Sequence, residues 1–222
     1  MLERVLEPEV MDSASEAEDY DSMDHSEVNR IFVADLLAFH PVKEFVLDVG
    51  TGTAQIPLEL CRQSPLVSVV AVDLAEHMLR VGKTNVEKAG LQDRIELKLF
   101  DAKQMPFADH SFAAVISNSI VHHIPTPADV FAEMVRVTTH GGILFVRDLL
   151  RPDNNEQVRQ LVDTYAGDAN DHQKQMFEDS LRASLTVAEI RALVGELGFA
   201  PESVRQTTDR HWTWQVKKDD RQ

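Results

Sequence analysis

The chain has 222 residues, 43% of them apolar, enough to bury the core of one α/β domain of ordinary size or two small ones, so disorder throughout is excluded. No apolar run approaches the length of about 18 residues needed to cross a bilayer, and no membrane span is expected. The 37 acidic and 22 basic side chains give a formal charge of −15, a field that repels phosphate backbones and anionic lipid and argues against nucleic acid as a partner.

The negative charge is concentrated at the start. Residues 1–27 hold ten acids (Glu3, Glu7, Glu9, Asp12, Glu16, Glu18, Asp19, Asp21, Asp24 and Glu27) against a single Arg4. Residues 1–25 therefore read as an acidic arm, either simply solvated or serving as a lid, ahead of a single domain over 26–222. The opening residues lack the basic region, apolar stretch and cleavage site of a secretory signal, so a cytoplasmic location is expected. The lone Cys61 excludes an internal disulfide framework and a multi-thiolate metal site, and its helical surroundings suit a buried structural thiol.

In chain order, Val28, Phe32, Ala34, Leu36 and Leu37 recur at three- and four-residue steps behind Ser26, a good N-cap, predicting a helix that stops at His40-Pro41. Short apolar runs then predict strands at 45–49, 67–73, 95–101, 112–117 and 142–148, the first reading as buried on both faces. Helical patterns fall at 54–63 and 75–89, and Thr126-Pro127-Ala128-Asp129 opens another with a capping Thr and a proline in first position. Strand alternating with helix predicts an α/β doubly wound, mostly parallel, Rossmann-like sheet. Beyond Pro152 come helices at 154–166 and 172–184, within an insertion at about 153–184, then one opened by a capping box at Thr186 and closed at Gly198. The tail from Ser203 to Val216 reads as a hairpin broken at Asp209-Arg210, with Trp212, Trp214 and Val216 on one face. That makes a seven-stranded sheet with a C-terminal antiparallel hairpin and helices on both faces.

In such a sheet a ligand lies at the carboxyl ends of the strands where their order reverses. The first strand ends Asp48-Val49-Gly50-Thr51-Gly52-Thr53-Ala54, where the glycines permit close approach of a ligand to the main chain and the next helix presents unpaired N–H groups. Asp73 ends the second strand, about twenty residues on, placed to accept from a ribose diol. Gln55 stands where a dinucleotide fingerprint needs its third glycine, which weakens NAD and FAD. Gly82-Lys83-Thr84 looks like the end of a phosphate loop, but His77 occupies the position of its first glycine and the segment is helical.

The pattern from Val46 to Ala54 resembles the first motif of the class I S-adenosylmethionine-dependent methyltransferases, with Ala54 in place of the last glycine. Val72 to Leu79, Asp101-Ala102 with Met105-Pro106-Phe107, Ser117 to Ile124, and His140 to Leu144 are similar to that family's further motifs in order. The closest flavour is the ubiquinone/menaquinone-biosynthesis-like branch of small-molecule methyltransferases. The resemblance implies S-adenosyl-L-methionine as cofactor, S-adenosyl-L-homocysteine as product, and in-line transfer of methyl to an O, N, S or C atom of a small-molecule acceptor. It implies cofactor contacts from Asp48, Gly50, Thr51 and Gly52, from Asp73 on the ribose hydroxyls with Leu74 beside it, from Met78 on adenine, from Asp101 and Ala102 at the adenine amino group, and from Ser117 and Asn118. Tyr20, paired with Asp21, is implied as part of a cover over the cofactor. The cofactor is a sulfonium without phosphate, in keeping with the absence of Lys between Asp48 and Arg62.

His122 and His123 follow the fourth strand, beside the place this family gives the acceptor, and either suits a general base for an OH or SH nucleophile. Arg147, Asp148 and Arg151 end the fifth strand, as a clamp for an anionic acceptor or as mutual ion pairs. Tyr165, His172, Met176 and Phe177 fall in the insertion, either as acceptor pocket or as core. No carboxylate–His cluster at ligand spacing is visible, and no metal is expected. A non-catalytic cofactor-binding or regulatory relative and a nicotinamide oxidoreductase stay open as alternatives.

Overall fold

The computed structural model describes residues 2–7, 13–43 and 45–219. Of the acidic N-terminal stretch, residues 1 and 8–12, including Glu9 and Asp12, lie outside the described residues.

The apolar runs become β1 (Phe45–Val49), β2 (Ser68–Asp73), β3 (Ile95–Leu99), β4 (Phe112–Asn118) and β5 (Thr138–Leu149), and the tail supplies β6 (Val204–Gln206) and β7 (His211–Lys217). They form a seven-stranded sheet in the order β3-β2-β1-β4-β5-β7-β6. β1 is parallel to β2 and β4, β2 is parallel to β3, and β6 runs antiparallel to β7. The architecture is the doubly wound one expected, with the hairpin at its edge. β1 lies between two parallel neighbours and buries every residue after Phe45, which is why it reads as an apolar run interrupted only by Asp48. The chain steps outward from β1 to β2 and β3, then returns to β4 on the other side of β1, so the strand order reverses at the ends of β1 and β4.

The helices are α1 (Ala14–Ser22), α2 (Ser26–Phe39), α3 (Gln55–Gln63), α4 (Glu76–Ala89), α5 (Ala128–Val137), α6 (Asn155–Ala166), α7 (Asp171–Ala183) and α8 (Val187–Glu196). Four local expectations change. The stretch read as an arm contains α1, opened by a capping box between Ser13 and Glu16. Ser26 is the first residue of α2, not its cap, and its N–H donates to Asp24 Oδ1 at 3.0 Å. β5 begins at Thr138, earlier than its apolar run, and a side chain on Gly142 would stand 2.8 Å from the Ala113 carbonyl oxygen, so that strand can form only with glycine there. β7 buries all of His211, Trp212, Thr213 and Trp214 instead of alternating, as a strand with neighbours on both sides does.

Two compact units divide the chain: Val10–Asn118 with Ala128–Val146 and Gln215–Gln222, and Met1–Glu9 with Ser119–Pro127 and Arg147–Trp214. In the first, Phe32 and Leu36 of α2, Leu60 of α3, Val69 and Ala71 of β2, Ile116 of β4 and Phe145 of β5 make the core, with Phe32 edge-on to Phe145 at 5.2 Å. In the second, Leu149, Val158, Val162 and Leu181 pack with Phe177, and the Thr186–Glu189 capping box opens α8. Among the described residues no helix is long and apolar enough to cross a membrane.

Candidate active site

The turn after β1 holds three left-handed residues, Gly50 (φ 75°), Gly52 (φ 54°) and Ala54 (φ 65°). Glycine adopts this conformation freely, whereas an alanine there costs about 1 kcal/mol. The Gly50 and Thr51 N–H groups donate to the Val72 carbonyl at 2.8 and 3.0 Å, tying the turn to the end of β2. Asp73 then holds it from the side: Oδ2 accepts the Gly52 N–H at 2.7 Å and Oδ1 accepts the Ala75 N–H at 2.9 Å. The Phe100 N–H donates to the Asp73 carbonyl at 3.0 Å, which sets Asp101 beside Asp73. Asp101 closes its own turn by accepting the Lys103 N–H at 2.9 Å, with Ala102 half-buried between them. From β4, the buried Ser117 hydroxyl donates to the Val49 carbonyl at 2.8 Å, and Asn118 follows at the strand's end.

The floor of this turn is polar and incompletely satisfied. Asp48 Oδ2 and the Thr51 and Thr53 hydroxyl oxygens are buried without a hydrogen-bond partner. Burial pushes the Asp48 carboxyl up to about 7, the Thr51 hydroxyl opposes this, and the charge of Asp73 adds to it.

Helix α1 covers the other side. Ala17 is buried against Ala75 and Met78, with Tyr20 and Val81 packed on the same cluster. A side chain on Gly52 would meet the Tyr20 ring at 3.9 Å. Burial pushes the Tyr20 hydroxyl up to about 12, helped by Asp73, Asp21 and Asp48, so it stays protonated. Asp21 Oδ1 accepts from Gln55 Nε2 at 2.9 Å and from Asn85 Nδ2 at 2.8 Å, and Asn85 also donates to the Thr53 carbonyl at 3.2 Å. On α4, a side chain at Gly82 would approach the Thr53 carbonyl carbon to 3.2 Å, so this glycine lets the helix close on the turn.

Tyr20, Asp48, Gly50, Thr51, Gly52, Asp73 and Met78 thus meet at one place. Ser117 reaches it through Val49, Asp101 through Asp73, and Leu74 is 40% exposed at the rim. Gln55, Asn85, Thr53 and Gly82 were not anticipated. Gln55 and Gly82 carried only negative sequence signals, and nothing in the pattern marked Asn85 as facing Asp21.

His122 and His123 belong to the other unit and sit in a short 3₁₀ turn, Val121–His123. His122 is buried, its Nδ1 2.6 Å from Asp148 Oδ1 and its backbone N–H donating to Asp148 Oδ2 at 3.1 Å. Glu7 Oε1 lies 3.5 Å from His122 Nε2 and 3.1 Å from His123 Nδ1. Burial disfavours the charged form of His122, but Asp148 and Glu7 outweigh it and hold this imidazole above its ordinary value. Burial and the neighbouring His122 hold His123 below its ordinary value. A carboxylate–His cluster therefore exists; sequence spacing missed it because Glu7 is contributed from far along the chain.

The other residues noted in this unit have definite partners. Arg151 pairs with Glu189 at 2.7 Å and Arg147 Nε donates to the Thr213 hydroxyl at 2.8 Å. Tyr165 is exposed, bonded to Asp209 at 2.7 Å and stacked on Arg210, while Phe177 joins the core and His172 is exposed.

Residues 47–146 match the model of a methyltransferase domain family. A demethylmenaquinone methyltransferase of Porphyromonas gingivalis is 39% identical over 108 residues, covering 48% of this chain and 44% of that protein, so the chain spans less than half the length of this curated relative. A Bacillus halodurans structure described as a methyltransferase is 30% identical, with 78% of this chain and 70% of that one covered and a TM-score of 0.59. A Methanococcus maripaludis structure described as an S-adenosyl-L-methionine-dependent methyltransferase shares the fold at a TM-score of 0.73 and 19% identity, covering 98% of this chain and 99% of that one.

Proposed function

The chain belongs to the class I S-adenosylmethionine-dependent methyltransferases, and from that footing we propose that it transfers methyl from S-adenosyl-L-methionine to a small-molecule acceptor and releases S-adenosyl-L-homocysteine. The observation that carries this reading is the β1 turn with its buried, unpartnered oxygens on Asp48, Thr51 and Thr53 beside the Asp73 carboxylate. Buried polar groups without partners cost about 1–3 kcal/mol each, a cost that a polar ligand seated there removes.

Bound there, the cofactor supplies an electrophilic methyl on a sulfonium. The left-handed turn lets the main chain approach it, and the Asp73 carboxylate at the end of β2 suits ribose hydroxyls. Asp101 and Ala102 suit the adenine edge, and Met78 is the apolar wall. Tyr20 and α1 exclude water from the turn, which favours dispersal of the sulfonium charge during displacement. Alignment of acceptor and methyl carries most of the acceleration, since effective molarities of about 10⁵ M or more correspond to several kcal/mol. The formal charge of −15 supports an uncharged or cationic small molecule over nucleic acid as acceptor.

Calorimetry tests this directly. S-adenosylhomocysteine gives a binding heat, NAD gives none, and Asp73→Ala abolishes the first while circular dichroism stays unchanged. An acceptor screen then reads release of S-adenosylhomocysteine. No heat with S-adenosylhomocysteine overturns the proposal.

A further inference from the structure

We propose that Glu7, His122 and His123 form a binding site for a divalent transition metal of the zinc class, held by Glu7 Oε1, His122 Nε2 and His123 Nδ1. Among the described residues these are the group of His, Cys and carboxylate side chains whose ligand atoms converge, all within 4.8 Å of one another. The spacings of 3.5 and 3.1 Å from Glu7 Oε1 bracket the separation of about 3.4 Å between two ligands of a tetrahedral ion with bonds of about 2.0–2.1 Å.

The hydrogen bonds around the cluster favour a cation. His122 Nδ1 sits against Asp148 Oδ1 at 2.6 Å, which places a hydrogen on Nδ1 and leaves the Nε2 lone pair facing Glu7. A metal-bound imidazole has this arrangement, its second nitrogen fixed by a carboxylate. His123 Nδ1 is buried and faces the same Glu7 Oε1 at 3.1 Å. With both facing nitrogens unprotonated, two imidazole lone pairs and a carboxylate oxygen converge on one point, an arrangement that a cation entering between them stabilises. The competing occupant is a proton donated to Glu7 Oε1, either from His123 Nδ1 or from His122 Nε2 as an imidazolium between Asp148 and Glu7.

The ligands are also held in place. Arg4 Nη2 donates to the carbonyls of His122 and Ile124 at 3.1 and 3.0 Å, and Arg4 Nε to that of Ala183 at 2.6 Å. The Val5 N–H donates to the Arg182 carbonyl at 3.1 Å, and the Ser180 hydroxyl to Glu7 Oε1 at 3.2 Å. Residues 4–7 are thus fastened to this unit and deliver Glu7 to the two histidines. Two nitrogens and one oxygen suit zinc and its late first-row neighbours better than magnesium or calcium, and three protein ligands leave a position for water or another small ligand. Coordination uses the same lone pairs that a general base at His122 or His123 needs, so one experiment separates the two roles.

The untagged full chain, stripped with chelator, is titrated with Zn²⁺ by calorimetry and with Co²⁺ by visible absorption. One metal per chain is expected, with the intense visible bands of tetrahedral Co²⁺. Glu7→Gln and His123→Ala each weaken binding at least tenfold, and Asp148→Asn weakens it about 10–100-fold. His122 is buried and its removal endangers folding, so the two accessible ligands carry the test, with melting temperature as the folding control. Absence of stoichiometric metal, or binding unchanged in both Glu7→Gln and His123→Ala, overturns the proposal and leaves the proton as occupant.

Discussion

Asn85 Nδ2 donates to Asp21 Oδ1 at 2.8 Å, joining the middle of α4 to the end of α1. Gln55 donates to the same oxygen, so one carboxylate of the acidic helix that packs Ala17 and Tyr20 over the turn is held by two amides from α3 and α4. Hydrogen bonds to a charged group contribute about 1.5–3 kcal/mol, and these two join α1 to α3 and α4.

Asp21→Ala should therefore release α1 without unfolding the sheet. The expected result is a loss of about tenfold in S-adenosylhomocysteine affinity, near 1.4 kcal/mol, with faster amide exchange over residues 14–22 and a melting temperature within a few degrees of the parent. Unchanged exchange in α1 would show that Asp21 is not its fastening.

Gly82→Ala tests the close approach of α4 to the turn. The added carbon meets the Thr53 carbonyl carbon at 3.2 Å and the Gly52 oxygen at 3.4 Å, and both are backbone atoms of the candidate cofactor turn. Alanine is the better helix former by about 1 kcal/mol, so melting temperature should hold while cofactor affinity falls several-fold. Calorimetry on the variant measures this, and full affinity would mean the turn yields without consequence.

Asp48 predicts a pH dependence of stability. Its carboxyl is pushed up to about 7 in the fold by burial, above the ordinary value of 3.8. The unfolded chain therefore loses this proton first as pH rises, and the fold is penalised progressively between about pH 4 and 7. Asp48→Asn, which cannot ionise, should match the parent near pH 4 and exceed it in stability at pH 8 by on the order of 2–4 kcal/mol. Denaturant melts at the two pH values measure the difference; an equal effect at both would refute the assignment.

Lys218 is buried, and its Nζ donates to the carbonyls of Val135 and Thr138 at 2.7 and 2.8 Å. Lys218→Met leaves both oxygens without that donor, at about 1–3 kcal/mol. A fall in melting temperature of about 3–10 °C is expected for a chain of this length, by scanning calorimetry. An unchanged value would mean that water replaces the ammonium.

Much of the fold was legible because local physics dictates it. A central parallel strand covered on both faces is mostly apolar, so β1, β2 and β4 announce themselves, and Thr186 with Glu189 marks α8 because a helix start needs donors satisfied. Glycines at 50 and 52 mark a left-handed turn because other side chains resist it. The acidic helix α1 was hidden because its sequence is almost wholly polar and only Ala17 is fully buried. The early start of β5 was hidden because strand pairing is made by the backbone, so Thr138 to Gly141 need no apolar pattern.

Within the site, the chain by itself determined the bend after Val49, the acids at 73 and 101, and the family to which the chain belongs. Each of these depends on residues near one another in sequence, or on a spacing that a repeated strand and helix enforces. Only the tertiary structure decided that Asp21 meets Gln55 and Asn85, that Glu7 meets His122 and His123, and that His122 meets Asp148. Those meetings depend on which polar atoms folding leaves facing one another at a few ångströms, and side-chain hydrogen bonds and metal ligation act at that range whatever the separation along the chain.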